Sequence, residues 1–242
     1  ADAKEALSVL TNLTENRTHS KWLNEFHQAK KEELQVLSTN RKKYFPDELR
    51  MDLVIDLLSQ KTNGNAVVVT DVGQHQMMTA QFYQYNQTKS NVTSGGLGTM
   101  GFALPAAVGA KIANPEKQVV AIIGDGGFQM TLQELGTMMQ NNIGVKIIIL
   151  NNGYLGMVRQ WQQLFFEKRY SFTDIQSPDF VALAASYNIK GQKVERLEDL
   201  NKALDKFLNT ENAYLLEVKV SREDNVFPMV PTGASVAEIR MQ

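Results

Sequence analysis

The stretch VVAIIGDGG at residues 119–127, answered by VKIIILNNG at 145–153, decides how this chain folds. Each opens as an almost unbroken apolar run, the pattern of a strand buried on both faces, and each ends in turn-forming, oxygen-bearing residues. Outward from them, AVVVT at 66–70 and YLLEVKV at 214–220 read the same way, with a weaker strand at 91–93. Helix-like segments lie between them at 74–83, 102–112, 131–140, 155–166, 178–185 and 197–208, and another at 47–60 precedes the first strand. Strand and helix alternating through short links predict a three-layer α/β/α fold around a mainly parallel sheet. In such sheets ligands bind outside the carboxyl ends of the strands, so function is expected in the loops after Thr70, Thr93, Ile123 and Leu150.

The 242 residues carry 25 Lys plus Arg against 26 Asp plus Glu, and no cysteine. Single cores stop growing near ~250 residues, so one large domain with at most an appendage is expected. A net charge of -1 gives no footprint for nucleic acid or an anionic membrane. The missing cysteine excludes disulfides, thiolate metal sites and thiol nucleophiles. No apolar run approaches the ~18 residues of a membrane span and no basic, then apolar leader opens the chain, so a cytoplasmic location is expected. Two amphipathic stretches at 2–13 and 20–37 come first, followed by a polar, basic connector at 38–45. The expected division is therefore residues 1–45 as the helical tail of a preceding domain plus linker, and 46–242 as the main domain, the whole being the later portion of a larger protein.

Two chemistries are open in the loops. Gly96, Gly98 and Gly101 satisfy G-x-G-x-x-G after a short strand, with Asp125 further on, which is a dinucleotide signature. Asp125 and Asn152 each follow a buried strand, one helix and one strand apart, so a carboxylate and an amide oxygen meet at the same sheet edge. Hard oxygens suit Mg2+, and Gly126 and Gly127 leave backbone N–H groups free to face an anion, so this pair reads as metal plus diphosphate. Turn chemistry would account for any one of these loops but not for their joint spacing.

The segment from Gly124-Asp125-Gly126 to Asn151-Asn152 resembles the thiamine diphosphate binding motif. Val72-Gly-Gln-His-Gln-Met77, Thr93-Ser-Gly-Gly-Leu-Gly-Thr-Met-Gly101, Gln160-Trp-Gln162 and Phe227-Pro-Met-Val-Pro231 are similar to the catalytic large subunit of the acetohydroxyacid synthase (acetolactate synthase) family. The resemblance implies Mg2+ on Asp125, Asn152 and the backbone carbonyl of Tyr154. It implies a cofactor site of Val72, Gly73, Gln74 and His75 at the diphosphate end, Gly126 and Gly127 beside them, and Leu155, Gly156 and Met157 on the following helix. Gly98 and Met100 would take the aminopyrimidine ring, and Met157, Val158 and Trp161 the second substrate. It implies decarboxylation of pyruvate and condensation with pyruvate or 2-oxobutyrate, for branched-chain amino acid biosynthesis. No catalytic residue is expected in these 242 residues, because the family's activating glutamate belongs to another domain. The full-length family adds FAD, held mostly elsewhere, a homodimer or tetramer, and a small regulatory subunit. The alternatives are another thiamine diphosphate-dependent 2-oxo acid decarboxylase or oxidase, and an NAD-dependent dehydrogenase.

Overall fold

The computed structural model describes residues 2–15, 17–44 and 47–241. Backbone contacts divide the chain into two compact units, Ala1–Tyr44 with Met241, and Phe45–Arg240. The first contains α1 (Ala3–Leu13) and α2 (Ser20–Tyr44). Asp2 caps α1, its carboxylate accepting from the N–H groups of Lys4 and Glu5 at 2.9 and 3.2 Å. The connector expected at 38–45 is helical as far as Tyr44, because it contains neither Gly nor Pro and its Arg and Lys residues favour helix. Phe45 and Pro46, where the domain boundary was expected, lie outside the described residues.

The second unit begins with α3 (Met51–Thr62), four residues later than expected, and continues through β1 (Val67–Thr70), α4 (Gln74–Phe82) and β2 (Asn91–Val92). A 3-10 turn and α5 (Ala103–Ala113) lead to β3 (Val119–Gly124), α6 (Asp125–Thr131), α7 (Glu134–Gln140) and β4 (Lys146–Asn151). Then come α8 (Gly156–Phe165), α9 (Phe180–Ser186), β5 (Lys190–Val194), α10 (Leu197–Asn209) and β6 (Tyr214–Lys219). The helix expected at 131–140 is α7, three residues shorter at its start, and it is preceded by α6, which starts on Asp125 itself, where a loop was expected. An acidic first residue suits the positive end of a helix. β5 was not anticipated: KGQKV has no apolar run, which an edge strand tolerates.

Among the described residues the five strand pairings are all parallel, in the order β2-β1-β3-β4-β6-β5. Successive strand residues point to opposite faces, and each face has its own core. Val68, Val120, Ile122, Ile148 and Leu216 pack with Ile55 of α3, Met78 of α4 and Phe207 of α10. Val69, Ala121, Ile123, Ile149 and Leu215 pack with Leu104 of α5, Phe128 of α6, Leu135 of α7 and Phe180 of α9.

The chain leaves β1 for β2 on one side and returns past it to β3 on the other. This reversal opens a crevice at the carboxyl ends of β1 and β3, where side chains can converge on a ligand. Among the described residues no helix is long and apolar enough to cross a membrane.

Phe128 is one turn after Asp125, wholly buried, with its ring edge-on to Phe180 at 5.4 Å. It anchors the helix on which Asp125 stands. Phe128→Ala is expected to cost about 3–5 kcal/mol in urea-induced unfolding, and a loss below about 1 kcal/mol would show that α6 is held by something else.

Candidate functional site

A cavity of about 230 Å³ sits in this crevice. Val72, Gly73, Gln74 and His75 reach it from the end of β1, Met100 from the glycine-rich loop, and Asp125, Gly126 and Gly127 from the end of β3. Asn152, Tyr154, Leu155, Gly156, Met157 and Val158 reach it from the end of β4. Four loops far apart in sequence therefore meet as expected. Two expected residues do not line the cavity. Gly98 is exposed, at φ +55°, and a Cβ placed on it would lie 3.6 Å from Val72 Cγ2. Trp161 lies against Phe165 at 4.8 Å and borders a neighbouring open recess, which Val158 shares with the cavity. Met51, at the start of α3, adds an apolar wall that the sequence did not point to.

Beneath the cavity lies Asp71, fully buried at the end of β1. One carboxylate oxygen is 2.5 Å from His75 Nε2, and the other accepts from the N–H of Gly101 at 2.9 Å. A Cβ on Gly127 would stand 2.1 Å from that second oxygen, so only glycine lets α6 come down onto Asp71. The glycine-rich loop thus has a structural role, since Gly101, at φ +81°, turns its N–H onto a buried acid. That accounts for the last glycine of the pattern without a dinucleotide. Asp71 was not singled out as a site residue. The signal available was an acid directly after a buried strand, four residues before a histidine in a forming helix.

Asp125 and Asn152 are 1% and 5% exposed. Burial pushes the Asp125 carboxyl up to about 6, against the opposing pull of hydrogen bonds from Ser177 and the Gly153 N–H. The Gly153 N–H is shared between Asp125 Oδ2 and Asn151 Oδ1, both at 3.1 Å, which ties the β3 loop to the β4 loop. Asn151 is itself held by Glu217, whose carboxylate accepts from Asn151 Nδ2 at 2.8 Å. Gly153 takes φ +71°, turning the chain so that Asn152 and Tyr154 face the cavity. The Asn152 side chain donates from Nδ2 to Gln74 Oε1 at 3.1 Å and accepts at Oδ1 from the Tyr154 N–H, also at 3.1 Å. No group of three or more His, Cys, Asp or Glu residues that could hold a metal occurs among the described residues. A cation at this cavity would have one carboxylate and would depend on amide or carbonyl oxygens for the rest. Such a donor set suits a hard ion that brings anionic oxygens of its own. The amino ends of α4, α6 and α8 all open on the same cavity.

Residues 71–218 match the family described as thiamine pyrophosphate enzyme, C-terminal TPP binding domain. The chain is 48% identical to the acetolactate synthase isozyme 2 large subunit of Escherichia coli over 194 residues, covering 80% of this chain and 35% of that protein. It is 42% identical to the acetolactate synthase large subunit of Lactococcus lactis over 242 residues, 96% of this chain and 40% of that one. With the mitochondrial acetolactate synthase of Schizosaccharomyces pombe the identity is 44%, over 97% of this chain and 36% of that one. The chain thus spans 35% to 40% of the length of these relatives. A solved structure, the thiamine diphosphate-dependent 4-hydroxybenzoylformate decarboxylase of Rhodococcus jostii, superposes with a TM-score of 0.67 at 29% identity, over 74% of this chain and 34% of that one.

The raised Asp125 carboxyl has a consequence for stability. Unfolding returns it to the ordinary value of 3.8, so an ionised Asp125 costs the fold energy. That cost is absent below about pH 4, grows as pH rises, and is complete above about pH 6, where it is on the order of 3 kcal/mol. Asp125→Asn removes it. The stability of the variant relative to the parent is expected to rise between about pH 4 and pH 7 in urea titrations and to level off above. A pH-independent difference would show that the acid is not desolvated.

Proposed function

The chain belongs to the thiamine pyrophosphate enzymes, whose C-terminal TPP-binding domain it carries, and we propose that it is the diphosphate-binding part of an acetolactate synthase large subunit. The proposed reaction of the whole protein is decarboxylation of pyruvate and condensation with a second pyruvate or with 2-oxobutyrate. The observation that carries this reading is the pairing of a buried, desolvated Asp125 with Asn152 across one cavity at the sheet reversal.

The residues present fit the cofactor. Asp125 is a carboxylate whose charge is poorly solvated, and a cation is what would relieve it. Asn152 has its nitrogen engaged by Gln74, and its oxygen, which accepts from the Tyr154 N–H, keeps a second lone pair for the ion. These two, with the backbone carbonyl of Tyr154, are the proposed Mg2+ ligands, and Gly73, Gln74, His75, Gly126 and Gly127 the proposed cradle for the diphosphate. His75 serves as a binding residue, fixed by Asp71. Met100, which lines the cavity, and Gly98, which lies outside it on the same loop, are the proposed contacts for the aminopyrimidine ring.

When bound, thiamine diphosphate supplies the nucleophilic carbon and the electron sink that a 2-oxo acid needs to lose CO2. The chain's own residues bind, orient and keep water out, with Met51, Met100, Leu155 and Met157 as the apolar wall. Val158 borders both the cavity and the recess of Trp161, which supports these two as the residues that shape the second-substrate position. The activating glutamate, most of the FAD site and the contacts for a small regulatory subunit fall to other parts of the protein. On this reading residues 1–45 end a preceding central domain.

Calorimetric titration with thiamine diphosphate and excess Mg2+, repeated with EDTA and beside NAD, tests the assignment. Mg2+-dependent binding of the thiamine compound alone is expected, and Asp125→Ala is expected to abolish it. Tight binding retained in Asp125→Ala would overturn the metal ligands, and binding of NAD would overturn the cofactor. The 242-residue chain supplied with pyruvate, Mg2+ and thiamine diphosphate is expected to form no acetolactate. Measurable turnover would show that it holds its own activating group.

A further inference from the structure

A carboxamide has an accepting oxygen and a donating nitrogen, and a cation can use only the oxygen. Asn152 therefore has to be held the right way round. Backbone groups cannot exchange these roles, and Gln160 meets two of them. Its Oε1 accepts from the Val226 N–H at 2.9 Å, and its Nε2 donates to the Val226 carbonyl at 3.0 Å. With Oε1 fixed in this way, Gln74 has to present its nitrogen to Gln160, which it does at 3.0 Å, and the same nitrogen donates to the Asp224 carbonyl at 3.1 Å. Gln74 Oε1 is then the acceptor for Asn152 Nδ2 at 3.1 Å, and Asn152 Oδ1 is left on the Tyr154 side of the loop. Gln160, Gln74 and Asn152 are 1%, 4% and 5% exposed, so water cannot easily replace these bonds. Gly156 makes room for them: a Cβ there would lie 2.1 Å from Gln74 Oε1 and 2.9 Å from Asn152 Nδ2.

We infer that Gln160 is a positioning residue, which reads the polarity of the Val226 backbone and passes it through Gln74 to orient the Asn152 oxygen toward a bound cation. The inference rests on the reading of Asn152 as a cation ligand. It couples the segment around Val226 to the cavity, so docking of that segment and cation affinity rise and fall together.

The test titrates Mn2+ into this chain with thiamine diphosphate present, and follows solvent exchange of the Asn152 side-chain amide protons by NMR without either. Gln160→Met is expected to weaken Mn2+ binding about tenfold or more and to expose the Asn152 amide to rapid exchange. Gln160→Glu keeps an acceptor for both Gln74 and the Val226 N–H, and should stay within about threefold of the parent. Gln163→Ala removes a different tether of the same segment, the 3.1 Å bond from Asn225 Nδ2, and should stay within about twofold.

A folded Gln160→Met protein with unchanged affinity and unchanged Asn152 exchange overturns the relay. So does a Gln163→Ala loss as large as that of Gln160→Met, since tethering in general would then set the affinity. If Gln160→Met does not fold, loss of Asn152 protection in Gln160→Glu overturns the relay instead. If the parent binds no Mn2+ with thiamine diphosphate, the cofactor reading falls, while Asn152 exchange in parent and variant still decides the relay.

Discussion

A carboxylate sealed from water at the end of β1 is the constraint on which the site depends. Asp71 has no solvent to satisfy its oxygens, so every neighbour has to supply a hydrogen-bond partner or come close enough to exclude water. His75 Nε2 supplies one contact and the Gly101 N–H another, while Gly127 closes over the second oxygen. These partners come from the first turn of α4, from the glycine-rich loop and from the first turn of α6. One buried acid thereby fixes the relative positions of three segments that all border the cavity. A side chain added at Gly127 would break this arrangement from within.

Much of this was legible in the sequence because the central strands are buried on both faces and therefore carry unbroken apolar runs. β1, β3, β4 and β6 are all of that kind, and the segments that follow the first three of them supply most of the cavity lining, Met51 and Met100 coming from elsewhere. Elements whose burial is partial were harder to see. β5 is an edge strand with a single buried residue, and nothing in KGQKV distinguishes it from a loop until β6 is beside it. The start of α6 was hidden because Gly124 to Gly127 look like a turn, and only packing against Asp71 makes glycines helical there. The continuation of α2 was missed for the opposite reason, since a polar composition with good helix formers does not announce whether it ends.

Site residues divide along the same line. Asp125 and Asn152 could be paired from their positions after adjacent strands. Glu217 and Gln160 could not be given their places, because each acts through bonds to residues distant in sequence, and of Asp71 only the His75 partner was within local reach, the Gly101 contact lying thirty residues away. Hydrogen-bond direction also leaves no trace in composition. A glutamine reads the same in the sequence whether it faces water or holds a partner in one orientation. Asp125 shows what such burial costs: the desolvation that raises its carboxyl is an energetic burden on the fold whenever the acid is ionised.

The position of β6 bears on how the protein is made. It is the last strand of the described chain, yet it is inserted between β4 and β5 and pairs with both. A nascent chain emerging up to β5 would have every loop of the cavity already synthesised but no strand to fill the gap beside β4. Lys219, which ends β6 opposite Asn151 in the final register, and the segment reaching Val226 are made after β5 as well. The sheet is therefore completed only once β6 has been made and joined to strands distant in sequence, and until then β4 and β5 expose unpaired edges that favour aggregation.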